Sequence, residues 1–188
     1  MTANTLSQPR LARSPFSLAA WSTIAGGAMT VVLGIPFASL QSQVPLPWWV
    51  SALNAVSHFL LVVGMIGLAR AGVARQGRLA AGGMGLSILG LALLTVAELA
   101  RLAQLGVAEV LYPVSTLVQF VGLIMVGVSV LRAGRWSGWH RFTPLACGLF
   151  IPLVMMPSFA LPGFAMHYAI GAWGVCWLLL GLSQFAEA

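Results

Sequence analysis

Apolar residues form six long stretches along the chain, and short polar or turn-forming segments separate them. The stretches cover residues 17–40, 48–70, 79–101, 112–131, 142–161 and 163–183. A helix needs about 20 apolar residues to cross the hydrocarbon core of a bilayer, so each stretch predicts one transmembrane helix. Separators such as Gln76-Gly77 are too short to divide two domains. The pattern therefore predicts an all-α protein, a single bundle of six transmembrane helices.

Composition restricts the class of protein further. The chain has 188 residues, of which 60% are hydrophobic and 6% charged, and its mean hydropathy is +0.97. Soluble domains contain roughly 25% charged residues, so this chain could not cover a water-exposed surface. A cytosolic enzyme, a secreted disulfide scaffold, a disordered chain and a coiled coil are excluded. We expect an integral, multi-pass protein of the cell membrane.

Arginine placement predicts the orientation. One arginine, Arg101, ends the third stretch. The others precede the first stretch or flank the connections between stretches 2 and 3 and between stretches 4 and 5. These others are Arg10, Arg13, Arg70, Arg75, Arg78, Arg132, Arg135 and Arg141. Cytoplasmic loops carry the excess of positive residues, so both termini are expected in the cytoplasm. The formal charge of +6 thus marks topology and does not indicate nucleic-acid binding.

The domain boundaries follow from the same pattern. Residues 1–16 are expected to form a cytoplasmic N-terminal segment, 17–185 the transmembrane domain and 186–188 a short cytoplasmic tail. The first stretch is longer than the 7–15 apolar residues usual in a signal peptide, so a retained first helix is expected. Arg70-Ala71-Gly72 recurs as Arg132-Ala133-Gly134. This recurrence raises the hypothesis of three repeated helical hairpins, against chance recurrence at inner helix ends.

Polar side chains within the spans are expensive and are therefore functional candidates. Counted from the inner arginines at about 1.5 Å per residue, they form a layer in the outer half of the membrane. The inner half shows no such layer in the sequence. The layer contains Asn54, His58, Thr95, Gln119 and His167, and all of these except Thr95 are expected to point into the bundle. Glu98 and Arg101 lie further out, as a polar gate over a pocket. The ligand-binding candidates are therefore Asn54, His58, Glu98, Arg101, Gln119 and His167.

Each candidate also has a structural interpretation. His58, with Asn54 one turn away as a hydrogen-bond partner, would then join two helices as polar groups do in bilayers. Glu98 and Arg101 would form a weak, exposed pair near the headgroups. His58 and His167 could instead hold a metal or haem, although no metal-binding spacing supports this alternative. No cofactor or metal is therefore predicted.

Catalytic groups are scarce. The chain has no aspartate and no lysine, which excludes an aspartate dyad and Schiff-base chemistry, and no catalytic residues are predicted. The favoured function is binding, and potentially transport, of a small or lipid-like molecule in an outer-half pocket. The alternative is a structural or accessory subunit of a membrane complex, and third comes a metal- or haem-dependent enzyme. Expected partners are membrane lipids, a small lipophilic ligand and membrane subunits, with no nucleic acid.

Two local patterns predict features of the packing. Small residues mark close helix contacts in membranes, so Gly26, Gly83 and Gly85 should face neighbouring helices. Proline frees a backbone carbonyl and distorts a helix. Pro152 and Pro157 should therefore distort the fifth helix in its outer half.

Overall fold

Six long helices make up the bundle. The computed structural model describes residues 15–41, 46–74 and 77–186, and this part of the chain contains helices and turns without strands. The helices are α1 Pro15–Gly34, α2 Trp48–Arg70, α3 Arg78–Leu102, α4 Val107–Ala133, α5 His140–Ser158 and α6 Ala165–Ala186. Helices α2 to α6 are long and apolar enough to span a membrane, and α1 contains a shorter apolar helix, Leu18–Gly34. The predicted all-α polytopic membrane bundle is confirmed.

The helix boundaries differ most from the expected ones in α1 and α4. Helix α1 ends at Gly34, six residues before the expected end at residue 40. Helix α4 begins at Val107, five residues before the expected start at Tyr112. A start at Tyr112 predicts Pro113 in the first turn of this helix, and this prediction is wrong, because Pro113 lies inside the helix. A proline in a helix interior removes one hydrogen bond. Its cost is limited here because Pro113 and Glu109, whose carbonyl loses the bond, are both exposed.

The six helices form a closed ring in chain order. Helix α1 packs against α2 and α6, α3 packs against α2 and α4, and α5 packs against α4 and α6. A short helix, Ala38–Gln41, follows α1 and contacts α6. Because each helix contacts its two neighbours, the ring leaves an interior in which side chains from several helices meet.

Glycines determine how closely the helices approach. A Cβ atom on Gly26 would lie 2.8 Å from the carbonyl oxygen of Ser57, and one on Gly83 would lie 2.7 Å from Cβ of Met125. Both predictions are confirmed. The prediction for Gly85 is wrong, because a Cβ atom there would have no neighbour within 4 Å. At about 3.6 residues per turn, positions 83 and 85 point in nearly opposite directions and cannot share one partner.

Helix α5 is distorted where its prolines predict. The segment Ile151–Met155, with Pro152 at its second position, is a π-helical turn. The N–H group of Ile151 donates to Gly148, so the carbonyl of Cys147 is left without its usual helical donor. The indole Nε1 of Trp173 on α6 donates to that carbonyl at 2.9 Å. The interhelical bond therefore compensates for the distortion.

The end of the bundle that carries the 2–3 and 4–5 connections combines an apolar core with a few polar contacts. Residues of the apolar core with less than 2% exposure are Leu61, Met65, Leu68, Leu91, Leu123, Val126, Val130, Cys147, Ile151, Trp177 and Leu180. Gln184 is fully buried, and its Oε1 lies 3.4 Å from the hydroxyl of Thr23. Gln184 was not among the predicted polar residues, because the sixth apolar stretch ends at residue 183.

The two inner connections meet at the recurring Arg-Ala-Gly positions. Gly72 and Gly134 have φ values of 64° and 62°, a backbone conformation that favours glycine after a helix. A guanidinium nitrogen of Arg135 donates to the carbonyl of Gly72 at 2.8 Å. A glycine also stands seven residues after Arg78 and seven after Arg141, at Gly85 and Gly148, but of these two only Gly148 packs against a neighbouring helix. The repeat thus stays a hypothesis. Arg10, Arg13, Arg75 and the first 14 residues lie outside the described residues.

Candidate ligand-binding cavity

A cavity of about 490 Å³ lies inside the ring. It is near those helix ends that lie away from the 2–3 and 4–5 connections. All six ligand-binding candidates line it: Asn54, His58, Glu98, Arg101, Gln119 and His167. Ligand pockets typically have volumes of about 300–1,000 Å³. Arg101 and Phe159 are exposed members of the lining, so the cavity reaches the surface at this end. The tertiary structure therefore brings together side chains from α2, α3, α4 and α6.

Most unsatisfied polar groups of the bundle line this cavity. The described residues contain nine buried side-chain nitrogen or oxygen atoms without a hydrogen-bond partner, and six of these belong to cavity residues. The six are Nδ1 of His58, Oε2 of Glu98, the hydroxyl of Tyr112, Nε2 and Oε1 of Gln119, and Nδ1 of His167. Buried polar groups are normally hydrogen-bonded. Their concentration around one space indicates unused capacity for a ligand or for water.

Gln119 occupies the central part of the lining because α3 and α4 pack closely there. A Cβ atom on Gly90 would lie 2.8 Å from the backbone nitrogen of Gln119, so only glycine at position 90 permits this approach. The side chain of Gln119 is fully buried, and both ends of its amide lack partners. One acceptor and two donor hydrogens of this lining residue are therefore unused.

The sequence predicts a hydrogen bond between Asn54 and His58, but this prediction is wrong. The Nδ2 of Asn54 donates instead to Oε1 of Gln41 at 3.3 Å, which ties α2 to the short helix after α1. The neighbouring Ser57 donates to the carbonyl of Gly26 at 2.8 Å and also contacts the hydroxyl of Thr30. These bonds hold this part of α2 against α1. They leave Nδ1 of His58 free beside the cavity.

Glu98 and Arg101 lie next to each other at one end of the cavity, but not as the exposed surface pair expected. Glu98 is 4% exposed, and its carboxyl group lies close to Arg101, Tyr112 and Ser51. The guanidinium of Arg101 stacks over the ring of Tyr112, with its carbon 4.4 Å from the ring centroid. Arg101 itself is exposed. The arrangement is a buried carboxyl group beneath an arginine that reaches the surface.

His167 completes the polar part of the lining from α6. Its side chain lies near the backbone of Gln41 and near Arg101. Both histidines thus line one cavity, although the described residues contain no group of three or more His, Cys, Asp or Glu able to hold a metal ion. Thr95, which the sequence placed at the same height, is not among the lining residues and donates to the carbonyl of Leu91 in its own helix.

Several members of the lining were not predicted from the sequence. Tyr112 stands at the start of the fourth apolar stretch, and Gln41 follows the first stretch, so neither position marks a site. The apolar part of the lining could not be distinguished from ordinary core residues, because it has no polar atoms to mark it. It consists of Leu94, Ile151, Met155, Phe159, Met166, Ile170 and Trp173. The cavity is therefore amphipathic, with polar groups from the outer helix ends beside an apolar wall built largely by α5 and α6.

Comparison with known proteins adds no relative: no protein-family model, no curated protein and no solved structure matches the chain.

Proposed function

We propose that this protein is a multi-pass protein of a bacterial plasma membrane that binds a small amphipathic molecule in its outer-half cavity. The main support is the set of six buried polar atoms without protein partners around a space of about 490 Å³. Polar residues that only join helices would bond to each other. These residues instead line one common space and keep polar atoms without protein partners.

The lining also favours an amphipathic ligand over a purely polar one. The free groups of Tyr112 and Gln119 would bind a polar head, and Met155, Ile170 and Trp173 would contact an apolar body. Apolar pockets with a few well-placed polar groups are typical of small-molecule sites. Transport would require a further step, because the packed inner core blocks the path beyond the cavity.

Retained ligand tests this proposal directly. The protein is purified in a mild detergent, washed, extracted with organic solvent, and the extract is analysed by mass spectrometry. We expect a stoichiometric small molecule or lipid from the wild type and about tenfold less from Gln119→Leu, since one or two lost hydrogen bonds correspond to about tenfold in affinity.

Gln184→Leu is the matched control. Gln184 is also fully buried with an unpartnered Nε2, but it lies outside the cavity, so its replacement should leave the retained amount unchanged. Equal loss from both variants, or no retained molecule in the wild type, would contradict the proposal and favour an accessory subunit. A visible haem absorption band from the wild type would instead favour the two-histidine alternative.

A further inference from the structure

The charges around the cavity restrict the chemical class of its ligand. Two lining residues are charged or carboxylic, Glu98 and Arg101, and they carry opposite formal charges. They lie three residues apart on α3 and therefore on the same face, close enough to interact electrostatically. When both are ionised, the formal charge of the lining is zero with neutral histidines.

Neither member of this pair is available to a ligand on its own. The guanidinium of Arg101 stacks on Tyr112 at 4.4 Å and is exposed to the surface, whereas the carboxyl group of Glu98 is buried beside it. Burying a further charge without a counter-charge is costly. An anionic head in the cavity would be repelled by the carboxylate of Glu98, and a cationic head would be repelled by the guanidinium of Arg101.

The remaining free groups suit an uncharged head. The amide of Gln119 both donates and accepts, and the hydroxyl oxygen of Tyr112, whose O–H lies beside the Glu98 carboxyl group, can accept. The imidazoles of His58 and His167 each add one unpartnered nitrogen. These groups are neutral, and they are arranged around the cavity with both donors and acceptors unused.

We propose that the cavity selects amphipathic molecules with an uncharged head that both donates and accepts hydrogen bonds, such as a hydroxylated lipid. This inference rests on the proposed function and deepens it. The compensated Glu98–Arg101 pair excludes charged heads, and Gln119 and Tyr112 bind the neutral one.

Four probes with the same ten-carbon chain and different heads test this selectivity. They are decylglycerol (neutral), decanoate (anionic), decyltrimethylammonium (cationic) and decyl dimethylglycine (zwitterionic). Native mass spectrometry in a non-ionic detergent measures the bound fraction at one mildly alkaline pH for every probe and variant. Retention by Gln119→Leu serves as the baseline for each probe, which removes differences in partitioning into micelles.

We expect decylglycerol to exceed its baseline by about tenfold, the effect of one or two hydrogen bonds, and the three charged probes to stay near theirs. Preference for any charged or zwitterionic probe over its baseline would overturn the ligand class and leave the binding site intact. If no probe exceeds its baseline, both the ligand class and the proposed function fail.

The pair itself is tested by Glu98→Gln, which leaves the charge of Arg101 uncompensated. Decanoate binding should then rise by about tenfold or more, since an uncompensated charge a few ångströms away dominates neutral contacts at low effective dielectric. Glu109→Gln is the matched control, because Glu109 is exposed and lies outside the cavity. Unchanged decanoate binding in Glu98→Gln, or an equal rise in the control, would overturn charge compensation as the cause of selectivity.

Discussion

Single polar residues in this bundle differ mainly in whether they have a partner. Trp173 and Trp177 illustrate the difference, because both are buried one turn apart on α6 and their rings pack edge to face at 5.4 Å. The indole of Trp173 donates to the carbonyl of Cys147, whereas the indole nitrogen of Trp177 has no partner. The same residue type therefore joins two helices at one position and only fills space at the other.

This difference predicts the effect of replacing each indole. Trp173→Phe should lower the free energy of unfolding by about 1–3 kcal/mol beyond the loss of packing, because the Cys147 carbonyl is left buried and unpaired. Trp177→Phe loses similar ring volume without orphaning an acceptor and should cost less. Thermal unfolding in micelles compares the two variants. A larger loss in Trp177→Phe would contradict the assigned role of the bond.

Pairs of helices are held together where glycines face each other. At the α1–α6 contact, a Cβ atom on Gly27 would lie 2.9 Å from the carbonyl oxygen of Gly174, and one on Gly174 would lie 2.8 Å from that of Gly27. This reciprocal contact closes the ring between the first and last helices. The short distance to the backbone leaves no room for a methyl group without separating the helices.

Alanine replacements test this contact at the level of the helix pair. Gly27→Ala should destabilise the bundle by about 1–3 kcal/mol through overpacking. Gly85→Ala is the control, since its Cβ would meet nothing within 4 Å, and the better helix propensity of alanine should raise stability by up to about 1 kcal/mol. Loss of stability at position 85 without loss at position 27 would reject this account of ring closure.

The whole molecule has a charged end and a cavity end. Arg70, Arg78, Arg132 and Arg141 terminate or begin consecutive helices at one end, where Arg135 joins the two connections through Gly72. Arg101 and the cavity lie at the other end. If arginine marks the cytoplasmic side, the cavity opens towards the exterior or the outer leaflet.

Labelling of single cysteines checks this orientation. Gly77 and Gly106 lie in connections at opposite ends, and a side chain at either position would have open space. In a background without Cys147 and Cys176, a membrane-impermeant reagent applied to intact cells should label Gly106→Cys and spare Gly77→Cys. Labelling of position 77 alone would reverse the orientation and place the cavity on the cytoplasmic side.

Much of the fold could be predicted because the bilayer imposes a simple length rule on apolar sequence. Helix α2 has the predicted bounds, and the other spans differ at their ends. Depth counted along each helix also placed Asn54, His58 and Gln119 in one layer, because the rise per residue of a helix is fixed. Only the packing showed that Thr95 turns to its own helix and that Gly85 faces away from its neighbours.

The sequence by itself thus determined the number of helices, their order and the height of each polar group, since these depend on local hydropathy and helix geometry. Tertiary structure alone decided which groups meet. Asn54 pairs with Gln41 and not with His58, and Gln119 keeps its amide free. Such outcomes depend on how neighbouring helices rotate and how closely glycines let them approach. Those quantities arise from contacts between distant parts of the chain, and no local pattern encodes them.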